Sequence, residues 1–322
     1  MARRATVIRD FKNEVDEVLI LDAGNSLFKP KDSPHANERN KARLIIMAYS
    51  RMGYQAVNIG SDDLLAGIEF LKGLQKEIHL PFLSANLLDG EAGKPVFKSH
   101  VIVDLGKMRV GIFGLTSYVR QNGGVTPEGY FISNPIEAAK GIVAELTKEC
   151  DVIVALSNMG SLKEYHTLVQ GVEGIHFIIG SGGKGSFNQI IRSDGDRNAF
   201  LFQARQKGQY LGRIDLKVVK GSRNFVDLGQ KANLERQINS IEGQLDSYRR
   251  GTGRAESIPQ DKREVYIEKL EEFRKRTKAR LNALERDLKG NSTFFHSTIC
   301  LDNKVKDDPN IKYLVDQFKQ GS

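Results

Sequence analysis

The chain has 322 residues, 40% of them hydrophobic and 27% charged, enough apolar material for one large α/β domain with an appendage. Its formal charge of +8 is spread along the chain among acids, with no basic block interleaved with aromatics, so nucleic acid is not the expected partner. No run approaches the roughly eighteen apolar residues of a membrane helix, and the two cysteines, Cys150 and Cys300, stand in no CxxC spacing, which excludes a zinc ribbon or covalently attached haem within this chain.

In chain order, residues 18–22, 55–60, 81–85, 110–115, 151–156 and 176–180 are short apolar runs, β-branched or aromatic, bounded by Gly, Ser, Asn or Asp. They predict strands buried on both faces. Between them, 38–52 carries Ala42, Ile45, Ile46 and Tyr49 at three- and four-residue spacing. Residues 135–149 open on Asn134-Pro135 and keep Ile136, Ala139, Ile142, Val143 and Leu146 on one side; both stretches predict helices. Such alternation argues a layered α/β domain. Runs 200–204 and 212–219, with a glycine-containing turn between, predict a strand pair, and both cysteines read as small buried side chains.

Composition then shifts to Glu, Lys, Arg and Leu over 230–289. Leu234, Ile238, Ile241, Leu245 and Tyr248 recur in steps of four and three. Beyond Gly251, Gly253 and Pro259, a second arm carries Ile267, Leu270, Phe273, Leu281, Leu284 and Leu288. Two heptad-like arms around a Gly/Pro loop predict an antiparallel helical hairpin, its apolar stripes packed on one another. A short strand at 297–301 and a helix at 309–320 close the chain.

In open α/β sheets functional groups gather where strands end. Read there, the chain carries ARRAT at 2–6, LDAGNS at 21–26, MGYQAVNIGSDD at 52–63, LSAN at 83–86, VGIFGLT at 110–116, LSNMG at 156–160, IGSGGK at 179–184 and GQYLG at 208–212. In this order and spacing the motifs resemble the calcineurin-like metallophosphoesterases, in their bacterial 5'-nucleotidase branch, from residue 2 to about 219. The resemblance implies a four-layer α/β/β/α sandwich. It also implies two divalent metals that clamp a phosphate and generate a hydroxide nucleophile, held by carboxylate, imidazole and amide groups.

Carried over position by position, the ligands are altered. The family's opening Asp-x-His strand would precede Met1, so the chain is expected to start after it. The bridging Asp corresponds to Asn25. Ser61 replaces a ligand Asn, and Asp62 the phosphate-contacting His. Asn158 stands for a later His, and Gly182 and Lys184 for the closing pair of imidazoles. His35, His79, His100, His166, His176 and His296 all lie away from these motifs and read as ordinary surface or core side chains. The Gly-rich loop at 181–186, with Lys184, is a candidate phosphate cradle, although it lacks P-loop spacing.

The expected organisation is a metallophosphoesterase-like domain over 1–228, the hairpin over 229–290, and a strand and helix over 291–322 packing back on the main domain. The nucleoside-binding domain of the 5'-nucleotidases has no counterpart here. The leading expectation is a non-catalytic structural or interaction module, with no cofactor and a protein partner on the hairpin. The resemblance places it in a larger exported protein, periplasmic or secreted, with electron transfer as one context. The alternative is a phosphohydrolase using Mn or Zn at a site rebuilt around Asp22, Asp62 and Asp63. A third reading is a binder of anions or nucleic acid.

Overall fold

The computed structural model describes residues 1–29, 35–117, 128–181, 187–192, 198–204 and 208–320. These form two units, Met1–Gly212 with Thr298–Ser322, and Arg213–Ser297.

In the first unit, α1 (Ala2–Glu14) precedes β1 (Leu21–Asp22), α2 (Ala36–Met52), β2 (Ala56–Asn58), α3 (Ile68–Ile78) and β3 (Phe82–Leu83). The three strands pair in parallel in the order β1-β2-β3. Ala42, Ile46, Tyr49 and Met52 of α2 and Leu71 and Leu74 of α3 form one core with Val57 and Phe82 of this sheet. Next come β4 (Leu87–Asp89), β5 (His100–Asp104), β6 (Arg109–Leu115) and β7 (Tyr130–Ile132), then α4 (Pro135–Leu146), β8 (Val152–Ser157), α5 (Leu162–Gly171), β9 (Phe177–Gly180), β10 (Phe187–Arg192) and β11 (Asn198–Gln203). Strands β4 and β7 pair with each other, and the rest build a six-stranded sheet in the order β10-β11-β9-β8-β6-β5.

Every residue of β8 is buried. Because side chains alternate along a strand, Ile153 and Ala155 join the core under α4 and α5. The residues between them point towards the first sheet, whose β2 packs against β6 and β8. The result is the expected order of layers, α/β/β/α. The cap of α4 is as predicted: Asn134 Oδ1 accepts from the N–H of Ile136, and Pro135 fills the first turn.

The predicted pairing of 200–204 with 212–219 is corrected. β11 lies between β9 and β10 with Ala199, Phe200, Leu201 and Phe202 all buried. β12 (Tyr210–Lys217) belongs to another sheet, and none of its residues is fully buried, in contrast to the buried run in β11. Cys150 is buried as expected, against Gly111, whereas Cys300 is exposed.

The second unit holds β13 (Phe225–Asp227), α6 (Leu228–Arg250) and α7 (Gln260–Asp287) with parts of β12 and β14 (Ser292–Cys300), the small sheet running β12-β14-β13. Asp227 caps α6 by accepting from the N–H of Gly229 (2.8 Å). Leu234, Ile238, Ile241 and Leu245 of α6 are buried, and on α7 Thr277 is 1% exposed. Ion pairs Arg249–Glu271 (2.6 Å), Lys278–Glu242 (2.9 Å) and Lys231–Glu285 (3.0 Å) link the two helices along one flank. Phe273 departs from the predicted stripe: it is exposed, and Thr277 takes the seam position one turn on.

In the first unit, α8 (Pro309–Gln320) packs on α1 and α2. Among the described residues no helix is long and apolar enough to cross a membrane.

Candidate functional site at the strand ends

Beyond β1 the chain turns through Gly24 (φ 93°) and Asn25 (φ 58°). A side chain at Gly24 would lie 2.8 Å from the carbonyl of Asn58 and the amide of Gly60, so only glycine fits; Asn is among the few others that accept a left-handed backbone. After β2 the chain passes Gly60 and enters a one-turn 3-10 helix, Asp63–Ala66. Gly60 lies so close to Asn25 that a Cβ would meet its Oδ1 at 2.0 Å.

Asp63, fully buried, ties these two loops together. Its Oδ2 accepts from the N–H groups of Asn25 (2.7 Å) and Gly60 (2.9 Å), and its Oδ1 from that of Leu27 (2.9 Å). Burial pushes its pKa up to about 7; the three N–H groups oppose the shift and the charge of Asp22 adds to it.

Around this carboxylate the neutral side chains bond to one another. Asn25 Oδ1 accepts from the N–H of Asp62 (2.9 Å), with Asn158 Nδ2 at 3.5 Å. Asn158 donates to Ser61 Oγ (3.0 Å) and accepts from the N–H of Ser117 (2.7 Å). Asn86 donates to the carbonyls of Thr116 and Ser133 and accepts from the N–H of Thr116 (2.8 Å). Thr116 Oγ1 donates to the carbonyl of Ile59 (2.7 Å) and is itself 2.7 Å from Ser84 Oγ. Asn58 and Ser181 both donate to the carbonyl of Ala23.

Three of the sequence-derived positions, Asn25, Ser61 and Asn158, therefore meet at one point, and Asp62 joins them through its backbone. Gly182 and Lys184, and with them the candidate phosphate cradle, lie outside the described residues. No described histidine enters the network. His176 Nδ1 accepts from the N–H of Ile153 (3.0 Å) in the core, and the others lie on α5, β5, β14 or at the ends of α2 and α3.

This donor set does not fit a pair of divalent metals. Two adjacent dications need several anionic or imidazole donors, and among the described residues no three His, Cys, Asp or Glu converge. The oxygens of Asn25 and Asn158 already accept backbone N–H groups. Of the nearby carboxylates, Asp63 holds three N–H groups, while Asp22 accepts from the N–H of Gly24 (2.9 Å) and from Tyr49 Oη (2.9 Å).

That last contact opens onto a cluster that the motifs did not signal. Arg4 donates to Tyr49 Oη (3.0 Å) and Tyr54 Oη (3.4 Å), and the two rings stack at 4.0 Å. Burial works against the Arg4 charge, but the two tyrosines and Asp22 outweigh it and hold the guanidinium protonated. The sequence contained partial signals: Arg4, Asp22 and Tyr54 each lie inside one of the motifs, and Tyr49 is on the apolar side of α2, but nothing in their spacing joined them.

No family model matches the chain. A snake venom 5'-nucleotidase from Gloydius brevicauda is 25% identical over 298 residues, covering 77% of this chain and 47% of the relative. A 5'-nucleotidase from Vibrio cholerae is 25% identical over 278 residues, covering 74% and 48%. Among solved structures, the calcineurin-like phosphoesterase YfkN from Bacillus subtilis superposes with a TM-score of 0.62 at 16% identity, covering 100% of this chain and 88% of that one. The fold is that of the calcineurin-like metallophosphoesterases. Within that class, the chain is a relative of the N-terminal domain of the 5'-nucleotidases, spanning about half the length of the curated proteins it matches.

Proposed function

We propose that this chain is a phosphoesterase-fold domain whose strand-end crevice has been rebuilt as a metal-free hydrogen-bonded plug, and that it serves as a structural or interaction module. One observation carries the reading: at the family's ligand positions, Asn25, Ser61 and Asn158 are hydrogen-bonded to one another and to backbone amides. Neutral amides and a hydroxyl lack the charge that offsets repulsion between two dications. The venom relatives support an extracytoplasmic setting for it.

Calorimetric titration of metal-stripped protein with Mn²⁺ and then Zn²⁺ tests this. No saturable heat is expected. Two equivalents bound at micromolar affinity or better would overturn it.

A second reading is favoured by the relatives themselves, which are 5'-nucleotidases: a metal-dependent phosphohydrolase using Asp22, Asp62 and Asp63. It requires metal-dependent release of phosphate from a nucleoside monophosphate, lost in Asp62→Ala.

A further inference from the structure

Helix α7 carries two stripes at heptad spacing. One fills the seam with α6; the other stays exposed, with Tyr266 meeting the ring of Tyr248 of α6 (centroids 5.5 Å). The first, through Ile267, Leu270, Thr277, Leu281 and Leu284, is partly or fully buried, and the flanking acids Glu271 and Glu285 are bonded to cations of α6. The second runs Lys262, Tyr266, Lys269, Phe273, Arg276 and Arg280. Its steps of four and three put all six on one face, spanning about 27 Å at the helical rise. All six are exposed, Tyr266 at 47% and Phe273 at 50%.

The stripe contains no acid. Glu272 pairs with Arg276 from beside it. Phe273 and the part of Tyr266 not covered by Tyr248 remain as apolar area open to a partner on a helix whose seam is already filled. A second copy of the same face would set cations against cations, which disfavours self-association there.

We propose that this face of α7 docks an acidic amphipathic helix of a protein partner. Apolar residues of that helix would cover Tyr266 and Phe273. Its flanking Asp or Glu would meet Lys262, Lys269, Arg276 and Arg280, as flanking charges select partners in coiled coils. Basic residues interleaved with aromatics also occur in single-strand nucleic-acid binders. Here the spacing is the helical period, which matches a helix laid along α7. The inference extends the reading of the chain as an interaction module and gives it a partner chemistry.

The test is fluorescence anisotropy of the full chain with a designed helical probe peptide about three heptads long, leucine on its seam and glutamate on its flanks. A leucine/lysine peptide of the same pattern and an oligo-dT strand serve as competitors. The glutamate probe is expected to bind, and to weaken as salt is raised. Lys269→Glu with Phe273→Ala should lower its affinity by roughly tenfold or more. Lys275→Glu, exposed but off the stripe, should leave it within about twofold. Lys262→Glu with Lys269→Glu gives a second variant should the first fail to fold, as judged by circular dichroism. Absence of binding, equal binding of the lysine peptide, an undiminished double variant or stronger displacement by oligo-dT would each overturn the proposal. None of these outcomes bears on the metal titration, so the two readings fail separately.

Discussion

Asp63 joins two loops that are far apart in the chain, and each of its bonds falls on a backbone N–H that has been taken out of water. Asp63→Ala leaves three such donors without their acceptor, so a loss of about 3 kcal/mol or more is expected in urea denaturation. Its acidity gives a second readout. The folded-state pKa of about 7 lies above the ordinary value of 3.8, so the folded protein holds this proton more tightly than the unfolded chain. The contribution to stability is full below the ordinary value and is lost as pH rises through about 7. Melting midpoints should show a component that falls over that window, flattened in Asp63→Asn. Gly60→Ala is expected to destabilise by a different route: its methyl would strike Asn25 Oδ1 and force the loop open. A melt that matches wild type would remove the close approach from the account.

At the scale of elements, the hairpin separates two kinds of contact. Ile241 is buried between the helices, and truncating it to alanine should cost about 3 kcal/mol. The interhelical ion pairs are exposed on their flank, so Lys278→Ala should shift the melting midpoint far less than Ile241→Ala does. Comparable losses would mean that charge, not the seam, holds the hairpin. The helices were legible in the sequence because a period repeated over many residues is a strong signal. The place of Phe273 was not. It stands within one residue of the seam spacing, and only the rotation of α7 against α6 decides which side of that boundary it takes.

At the scale of the whole molecule, α8 returns to pack on the first helices of its own unit. Ile311 enters the core that holds Ala5, Ile8 and Ile46. Arg9 bonds Asp308, the N–H of Asp308 reaches the carbonyl of Ala2, and Thr6 Oγ1 donates to the carbonyl of Lys306 (2.8 Å). Ile311→Ala should cost about 2 to 4 kcal/mol, and hydrogen exchange of α1 amides should quicken with it. Unchanged exchange in α1 would show that the helix is held by the rest of its core alone.

By itself the sequence determined the class of fold. Apolar runs such as 110–115 and 151–156, alternating with amphipathic helices, are local patterns, and burial on both faces leaves them little choice but strands. Through their resemblance to the metallophosphoesterases, its motifs also carried the expectation that Asn25, Ser61 and Asn158 stand at altered ligand positions. The tertiary structure decided what these three residues bond to. Asn25 and Asn158 are 133 positions apart, and no local period encodes their meeting or the choice of Asp63 over Asp62 as the buried carboxylate. It likewise decided that β11 pairs with β9 and β10, and brought Arg4 against Tyr49, whose hydroxyl reaches Asp22. Strands of two or three residues have no period to read, and the partners of a buried polar group are set by chain segments that only the folded layers bring together.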